Sequence, residues 1–580
     1  MNRDDGEGKG MVLINPPAVK ACEAPGGPAR LAAALRRQGV ACRIWDANVE
    51  GQLALMESAT QAAGGKADGD VYLSRGGRRA KHEISSAGPG VAQFNGGDGD
   101  VTLPGGRIPV DDAPVPADPW THRAARHREA NLARLRSWET YGHPDRYRRA
   151  VADLNRLLAM AAKPYGVRLS LADYEAAALS PIRSADLLRA AASPEENPFH
   201  PWFRWRLPEV LAETTPLSHV GFSLNYLSQA LTAFAMIGLI RRVHPRLRIV
   251  LGGGLVTSWM ARPGWRDPFG GVIDELIAGP GEAPLLRLFG KTHDGGCDLP
   301  DLGDFPVAGY LAPGTVLPYS ASGGCWWRRC SFCPERAEGT PYRPLPAGRV
   351  TADLRILTRR ERPALIHLLD NALSPVLLTA LAAKPPGAPW YGFTRITPQL
   401  AEPDFCARLK DSGCVMLKLG LESGDQGVLD ALNKGVDLET AAAVLANLKA
   451  AGIATYVYLL FGTPAETREA AGRTLAFTAA HAGEIGFLNL ALFNLPAYGS
   501  DAERLDTAEF YAGDLSLYRR FVHPAGWNRG EVRRFLEDEF KKTPAIAAIL
   551  RRDPPFFTSN HAPFLVTAAS RGEGRPAESG

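Results

Sequence analysis

Long apolar runs are missing from this sequence of 580 residues. The nearest candidate for a membrane helix, residues 231–240, is shorter than the roughly 18 residues that a bilayer requires, and it ends at Arg241 and Arg242. A secretory signal is also absent, because acidic residues precede the brief apolar run at 11–14. We therefore expect a cytoplasmic protein without a membrane span.

Strong charge imbalance and frequent cysteine are the other two absences. The 66 Lys and Arg residues nearly balance the 62 Asp and Glu residues, which argues against a nucleic acid as the main partner. Eight cysteines in a chain of this length do not make a disulfide scaffold. Three of them fall within residues 325–333, and in a reducing compartment such a cluster favours metal or redox chemistry.

The chain is long enough for three or four domains, and its pattern divides accordingly. The sequence predicts an α/β protein with the following parts: a disordered N-terminus (1–10), a Rossmann-like domain (11–292), a linker (293–315), a βα-repeat barrel (316–502), and a helical C-terminal segment with a disordered tail (503–580). An insertion at 51–215 interrupts the first domain. It begins with a Gly-rich, Asp-rich and Pro-rich loop at 60–118, in which 100–110 could form a hairpin, and continues as helices.

Short apolar runs separated by helical stretches predict the strands of both domains. In the barrel the expected strands cover residues 317–320, 365–369, 390–393, 414–420, 455–461 and 487–493. Each run ends in polar residues or glycine. In βα-repeat folds the carboxyl ends of the strands carry the functional site, so we expect the site at these positions.

Cys325, Cys330 and Cys333 have the spacing C-x4-C-x2-C. Three thiolates so close together can bind three corners of a [4Fe–4S] cubane. The fourth iron would stay free to chelate the amino and carboxylate groups of S-adenosylmethionine (SAM). Two alternatives stay open: a zinc site, which needs a fourth ligand that is missing within ten residues, and three unrelated buried cysteines.

This stretch resembles the radical SAM superfamily, whose usual spacing is C-x3-C-x2-C, with one additional residue in the first gap. The aromatic Phe332 before the last cysteine matches the family pattern. Later segments also match, including the turn Asn433-Lys434-Gly435. The resemblance implies that SAM is bound by Phe332, Asp370, Arg395, Glu422, Ser423, Gly462 and Glu466.

The N-terminal half resembles the cobalamin-binding domain that often precedes a radical SAM barrel. The matching segments are 12–17, 220–225, 251–254 and 279–282. The resemblance implies cobalamin contacts at Asn15, Pro16, Ser223, Leu224, Asn225, Gly252, Gly253, Gly254 and Glu282. Residues 1–80 contain no histidine, so the Asp-x-His-x-x-Gly route to a cobalt ligand is missing. A plain doubly wound domain, or one that binds a nucleotide, is the alternative.

Together the two resemblances imply a Rossmann-like cobalamin-binding domain followed by a partial (β/α)6 TIM-type barrel. The implied cofactors are a [4Fe–4S] cluster, SAM and cobalamin. The implied activity is C-methylation of an unactivated carbon through a 5′-deoxyadenosyl radical, with an electron donor such as flavodoxin or ferredoxin. A cobalamin-dependent enzyme that catalyses cyclisation, ring contraction or oxidation is one alternative, and a non-catalytic cofactor sensor is another.

The sequence leaves the substrate open among a small molecule, a lipid, a tetrapyrrole and a peptide. Some side chains on the later barrel strands and loops could face it: Tyr456, Tyr458, Asn489, Asn494 and Tyr498. Trp326 and Trp327, between the first two cysteines, could shield the cluster from solvent.

Overall fold

The computed structural model describes residues 10–64, 118–214, 216–295, 298–510, 512–554 and 561–566. Residues 1–9 of the predicted disordered N-terminus, nearly all of the predicted 60–118 loop with its hairpin at 100–110, and the C-terminal tail lie outside these residues. Gly10, the last residue of the predicted disordered segment, instead begins the first strand. Within the described stretches, none of the helices combines the length and the apolar character that a membrane crossing needs.

The first half of the chain contains one parallel sheet and a helical insertion. In chain order its elements are β1 (Gly10–Ile14), α1 (Gly26–Arg37), β2 (Cys42–Trp45), α2 (Ala47–Ala62), α3 (Pro119–Arg126), α4 (Arg128–Leu135), α5 (Trp138–Tyr141), α6 (Pro144–Ala162), β3 (Val167–Leu169), β4 (Tyr174–Ala176), α7 (Ser184–Ala192), α8 (His200–Ala212), β5 (Leu217–Ser223), α9 (Leu227–Val243), β6 (Arg248–Gly252), α10 (Gly254–Met260), β7 (Glu275–Ile277) and α11 (Glu282–Leu288).

Five strands form the first sheet in the order β2–β1–β5–β6–β7, and all neighbours are parallel. The chain builds outward in both directions from β1, so the loops after β1 and β5 lead to helices on opposite sides. In doubly wound sheets the crevice at such a switch point holds the ligand. The predicted cobalamin residues follow β1, β5, β6 and β7, and this topology brings those loops to one edge.

The insertion between β2 and β5 packs its longest helix, α6, against α2, α3 and α4. The apolar side of α6 is completely buried through Leu154, Leu157 and Leu158. The sequence predicts only helices after residue 118, whereas the structure adds an antiparallel hairpin of β3 and β4. These two strands have three residues each, which is too short for a periodic pattern to identify.

The second half contains a six-stranded parallel sheet. Its elements are β8 (Val316–Tyr319), β9 (Ser322–Gly323), α12 (Pro334–Ala337), β10 (Arg343–Pro344), α13 (Ala347–Glu361), β11 (Leu365–Leu373), α14 (Pro375–Ala383), β12 (Trp390–Thr394), α15 (Pro403–Asp411), β13 (Cys414–Glu422), α16 (Gln426–Ala431), α17 (Leu438–Ala450), β14 (Ala454–Phe461), α18 (Arg468–Ala480) and β15 (Phe487–Leu492).

The order of this sheet is β15–β14–β13–β12–β11–β8, and every neighbouring pair is parallel. Each strand is followed along the chain by the strand beside it in space, which is the βα repeat of a partial barrel. All nine residues of β13 are buried, as expected for a strand that is covered on both faces. The predicted fold class, a Rossmann-like unit followed by a partial (β/α)6 barrel, is confirmed.

The C-terminal segment differs from the prediction at its start. It contains β16 (Leu495–Pro496), α19 (Ser500–Arg504), β17 (Thr507–Glu509), β18 (Tyr518–Phe521), α20 (Arg529–Phe535) and α21 (Pro544–Leu550). The prediction has a helical segment with a disordered tail over 503–580, but β17 and β18 form a small antiparallel sheet with β16, which lies in the predicted barrel, before α20 begins. These strands exist because β18 pairs with β16 at the end of the barrel, and that pairing leaves no mark in the local sequence.

Candidate active site

The three clustered cysteines lie in one loop between β9 and α12. Cys330 is buried, and Cys325 and Cys333 are half-buried. The backbone N–H of Ser331 donates to the carbonyl of Leu432 at 2.9 Å, next to the end of α16. Because α16 follows β13, this bond attaches the cysteine loop to the carboxyl end of the six-stranded sheet.

The loop suits a [4Fe–4S] cluster better than a single metal ion. Three thiols on one short loop can each bind a separate iron of the cubane. Within the described stretches, no group of three or more His, Cys, Asp or Glu side chains is arranged to hold one metal ion, and this includes the three loop cysteines. The loop therefore does not present the four ligands of a zinc site. Burial raises the pKa of the Cys333 thiol, and the nearby Cys330 raises it further. Metal binding would replace the proton and stabilise the thiolate.

Arg395 lies against the cysteine loop at the end of β12. Its Nη1 donates to the Sγ of Cys330 at 3.6 Å, and its Nη2 donates to the carbonyl of Lys434. The guanidinium carbon is 4.3 Å from the ring centroid of Trp327 and 5.8 Å from that of Trp326. The two tryptophans therefore hold a buried cation directly beside a cysteine that would bind iron.

Two further predicted SAM contacts border the same loop. Asp370, in the second half of β11, accepts hydrogen bonds from Ala321 N–H at 3.0 Å and from Ser322 Oγ at 2.5 Å. These bonds hold the segment that enters the cysteine loop. The ring of Phe332 is half-buried, and the ammonium of Lys434 lies 5.7 Å from its centroid.

A buried ion pair lies where β13 ends. Glu422 Oε1 accepts from Lys434 Nζ at 2.8 Å, and the backbone of Glu422 has a left-handed φ of +71°. Gly420 makes room for the pair, since an added Cβ would lie 2.5 Å from Glu422 Oε1. Ser423 faces the interior, and its Oγ is 3.0 Å from Thr474 Oγ1. Its position favours a role in shaping the turn that presents Glu422.

The carboxyl edge of the first sheet presents glycines and amide groups in place of buried charged side chains. Three predicted cobalamin residues lie together where β6 ends: Gly252, Gly253 and Gly254. An added Cβ on Gly253, which has a φ of +111°, would be 2.4 Å from the carbonyl oxygen of Leu224. Asn225 Oδ1 accepts from the N–H of Gly254 at 2.9 Å, and its Nδ2 donates to Ser223 Oγ at 3.1 Å. Asn225 and Gly254 are exposed, so backbone and amide groups face solvent here.

The remaining predicted cobalamin residues have partners within the protein. Gln229 Nε2 donates to Asn15 Oδ1 at 3.2 Å and to the carbonyl of Pro16 at 2.8 Å. Glu282, at the start of α11, accepts from Arg30 Nη2 at 2.6 Å. These bonds fix the loops after β1 and β7. Their contacts with cobalamin stay predictions.

Residues 319–478 match the profile of the radical SAM superfamily. The second α/β unit is a radical SAM domain. A radical SAM domain implies an enzyme activity with a [4Fe–4S] cluster and SAM as cofactors. No curated protein sequence matches the chain.

Two solved structures illustrate the similarity of fold. The radical SAM methyltransferase TsrM from Kitasatospora setae, with tryptophan substrate and the SAM analogue aza-SAM bound, is 18% identical, with 65% of this chain and 87% of that chain covered and a TM-score of 0.44. OxsB, a cobalamin-dependent SAM radical enzyme with aqua-cobalamin bound, is 16% identical, with 48% of this chain covered and a TM-score of 0.40. The match spans 45% of the OxsB chain.

The C-terminal segment completes the radical SAM domain at the end of β14. Glu466 Oε2 accepts from the N–H of Gly462 at 2.5 Å and from Trp527 Nε1 at 2.9 Å. Burial raises the pKa of Glu466 to about 7. His523 Nε2 lies 2.8 Å from the carbonyl of Thr463. Sequence reasoning missed Trp527 and His523, because they lie about 60 residues from their partners and belong to no recognised motif.

The side chains predicted to face the substrate separate into two groups. Tyr456, Tyr458 and Asn489 lie on neighbouring strands, with Tyr458 paired in register with Asn489. Tyr498 instead donates from its hydroxyl to the carbonyl of Ser258 in the first half, at 2.9 Å. Asn494 Oδ1 accepts from Arg529 Nη1 at 2.9 Å. The last two therefore join parts of the protein to one another.

Proposed function

We propose that the chain is a cobalamin-dependent radical SAM enzyme that transfers a methyl group to an unactivated carbon. The contact between its two parallel sheets carries this proposal. The loop after β1, at the carboxyl edge of the first sheet, reaches the radical SAM domain, where Glu23 lies 3.0 Å from His367 Nδ1. At the start of α1, an added Cβ on Gly26 would lie 2.9 Å from Leu369 Cδ1. A ligand at the first edge would thus face the radical SAM site.

The first edge fits a large flat ligand. Its glycines allow close approach to the backbone, and the strand order provides the crevice at the switch point. Ser223 and Asn225 supply hydrogen-bonding groups at the same edge, and Asn225 is exposed. These features support cobalamin, which would supply the methyl group when bound.

The radical SAM domain holds the groups for the radical step. Cys325, Cys330 and Cys333 would bind three irons and leave the fourth for the amino and carboxylate groups of SAM. The cluster, when bound, supplies the electron that splits SAM into methionine and a 5′-deoxyadenosyl radical. Asp370 and Glu422 are buried carboxylates near this loop that can bind the polar groups of SAM.

The proposal is tested on the anaerobically reconstituted full chain. We expect Cys330→Ala to lose the electron paramagnetic resonance signal of the cluster and to lose SAM cleavage by dithionite-reduced protein, with cobalamin content unchanged. Cys42→Ala is the matched control, because Cys42 is a half-buried thiol on β2, outside the cysteine loop. Retention of SAM cleavage by Cys330→Ala would rule out the cluster assignment. If the reconstituted wild-type protein bound no cobalamin, the cobalamin assignment would be ruled out.

Product analysis separates methylation from the alternatives. A methylase of this kind forms S-adenosylhomocysteine as well as 5′-deoxyadenosine. A cobalamin-dependent enzyme for cyclisation, ring contraction or oxidation forms only the latter. A non-catalytic sensor forms neither with any substrate offered.

We also propose a reducing, cytoplasmic setting and an electron donor such as flavodoxin or ferredoxin. The cluster must be reduced by one electron before each radical step. Its thiols, and the other free cysteines of the described residues, are compatible with a compartment that keeps thiols reduced.

A further inference from the structure

A chain of three ionisable groups crosses the inner face of the radical SAM domain, and the proposed function does not use it. Both carboxylate oxygens of Glu23 lie 3.0 Å from His367 Nδ1. On the other side of the ring, His367 Nε2 lies 3.4 Å from Lys418 Nζ. With the proton on Nδ1 donated to Glu23, Nε2 is the acceptor for the lysine ammonium.

The strand register positions two of these three groups, His367 and Lys418. His367 pairs with Tyr391 on β12, and their rings stack with centroids 4.3 Å apart. Lys418 on β13 pairs with Tyr456 on β14, and its Nζ is 5.0 Å from the centroid of Tyr391. Glu422 follows Lys418 by four residues along the strand. Lys418 therefore lies two same-face positions before Glu422, a predicted SAM contact, with Gly420 between them.

Lys418 has fewer charged partners than its burial requires. Only 6% of its surface is exposed. Within the described part of the chain, its hydrogen-bond partner is the imidazole of His367, and no carboxylate forms a salt bridge with it. Burial lowers the pKa of Lys418 to about 8 and keeps His367 neutral by lowering its pKa as well. Glu23 attracts the ammonium across the imidazole without contacting it directly, and the ammonium still has two N–H donors to offer.

If these three groups only stabilised the fold, we would expect the Glu23 carboxylate to form a direct salt bridge with Lys418. Here Glu23 faces His367 instead, and the neutral ring lies between the two charges. Because Glu23 does not contact Lys418 directly, the attraction between the two charges offsets only part of the free energy that their burial costs. The arrangement holds His367 in one tautomer and directs it at Lys418, which leaves the ammonium available to a third group.

Several aromatic side chains lie beside Lys418 or next to its strand partners, and some of them are partly exposed. Phe393 and Tyr458 contact each other edge to face with centroids 5.0 Å apart, and both are only half-buried. Asn489, beside Tyr458 in the register, is also half-buried. Below them, Tyr456 and Phe487 are buried. Aromatic walls with one cation at the base suit a small molecule that has an apolar body and one anionic group.

We infer that Lys418 binds the anionic group, a carboxylate or a phosphate, of a small-molecule substrate, and that His367 and Glu23 position the lysine. The inference rests on the proposed function, because it takes the inner face of the radical SAM domain as the substrate site. It narrows the substrate to small anions with an apolar body. Since Glu23 comes from the first unit, both α/β units build the site.

The test measures binding of simple probes to the full chain by calorimetry: sodium benzoate, phenyl phosphate, and neutral benzamide. We expect at least one anion to bind saturably and benzamide to bind at least about ten-fold more weakly, as for loss of a charge-assisted hydrogen bond. Lys418→Met should lower the affinity for the anion by about ten-fold or more, and Lys418→Arg should retain anion binding. Lys449→Met, at an exposed position of α17, is the control and should bind as wild type does.

The preferred probe identifies the source, since benzoate points to a carboxylate and phenyl phosphate to a phosphate ester. Unchanged binding by Lys418→Met, or no saturable binding of either anion, would overturn the inference. Circular dichroism shows whether Lys418→Met is folded, and Lys418→Arg keeps the test valid if it is not. Because the assay requires neither cluster reduction nor SAM cleavage, its failure is distinct from failure of the proposed function.

The pH dependence provides a second readout. Anion affinity should fall as the pH rises through about 8, because Lys418 loses its proton there and the anion loses its partner. The titratable groups that surround Lys418 are Lys20, Cys22, Glu23, His367, Tyr391, Tyr456, Tyr458 and His561. The pKa is about 2 for Glu23, about 3 for His561 and about 12 for Cys22 and Tyr456. The pKa of His367 is lowered by burial, and burial raises the pKa of Tyr391 and Tyr458. A flat profile between pH 7 and 9 would contradict the assignment to Lys418.

Discussion

The two parallel sheets of this protein present their carboxyl ends in opposite ways. In the radical SAM domain, the strand ends carry buried charged side chains that bind one another, such as the pair of Glu422 and Lys434 at 2.8 Å. In the first unit, the edge consists of glycines and backbone groups, and Asn225 is exposed. Small polar ligands need oriented charges, whereas a wide flat ligand needs an edge without side chains. The contrast therefore agrees with two cofactors of very different shape.

The largest expected effect is on the charged edge. Glu422→Gln would leave the buried ammonium of Lys434 without a compensating charge, at a cost of about 3–5 kcal/mol in the free energy of unfolding. SAM affinity should fall with it. Chemical denaturation and equilibrium dialysis with SAM measure the two effects.

An exposed ion pair is the control for this change. Asp538 and Lys542 lie 2.8 Å apart, and both side chains are more than 60% exposed. Asp538→Asn should cost less than about 1 kcal/mol. If both variants lose similar stability, the charged edge has no special role.

The second prediction concerns the glycine edge. Gly253→Ala places a Cβ 2.4 Å from the Leu224 carbonyl oxygen in a backbone region that favours glycine, and we expect a cost of about 1–3 kcal/mol. Cobalamin content should fall, while the cluster spectrum stays as in wild type. Absorbance of the cofactor and electron paramagnetic resonance measure these outcomes.

Gly270→Ala in the same unit is the control, because an added Cβ there would meet nothing within 4 Å. It should bind cobalamin as wild type does. If Gly253→Ala kept its full cobalamin content, the glycine edge would not be the cobalamin site.

The smallest effect is expected at Arg395. Arg395→Met removes the N–H donor to Cys330 and the nearby positive charge, so the cluster should become harder to reduce. The expected change in midpoint potential is a negative shift on the order of 40 mV, the one-electron equivalent of about 1 kcal/mol. Potentiometric titration followed by electron paramagnetic resonance measures it.

Arg408→Met is the matched control, since Arg408 is exposed and lies 5.6 Å from the ring of Phe405, away from the cysteine loop. Its midpoint potential should equal that of wild type. A positive shift in Arg395→Met would contradict the electrostatic role of Arg395.

The sequence predicted the strands of both sheets well, because a buried parallel strand is a short apolar run that ends in glycine or a polar residue. It also predicted the three clustered cysteines as cluster ligands; the structure places them in one loop, and their binding of a cluster stays a prediction. It failed for β17 and β18, because their small sheet depends on the pairing of β18 with both β17 and β16. It indicated that Asn494 and Tyr498 could face the substrate. In the structure their side chains bind Arg529 and Ser258, and contact with a substrate stays a prediction.

What the sequence by itself determined is the chemistry available to the protein: three thiols on one loop, two series of βα units, and glycines after β6. Only the tertiary structure decided which groups meet. Glu23 and His367 are 344 residues apart, and Trp527 reaches Glu466 from a separate segment. Local patterns reflect burial and backbone conformation, which each residue experiences with its neighbours in the chain. Contacts between distant side chains form only when the two sheets pack together, and they leave no periodic signal in the sequence.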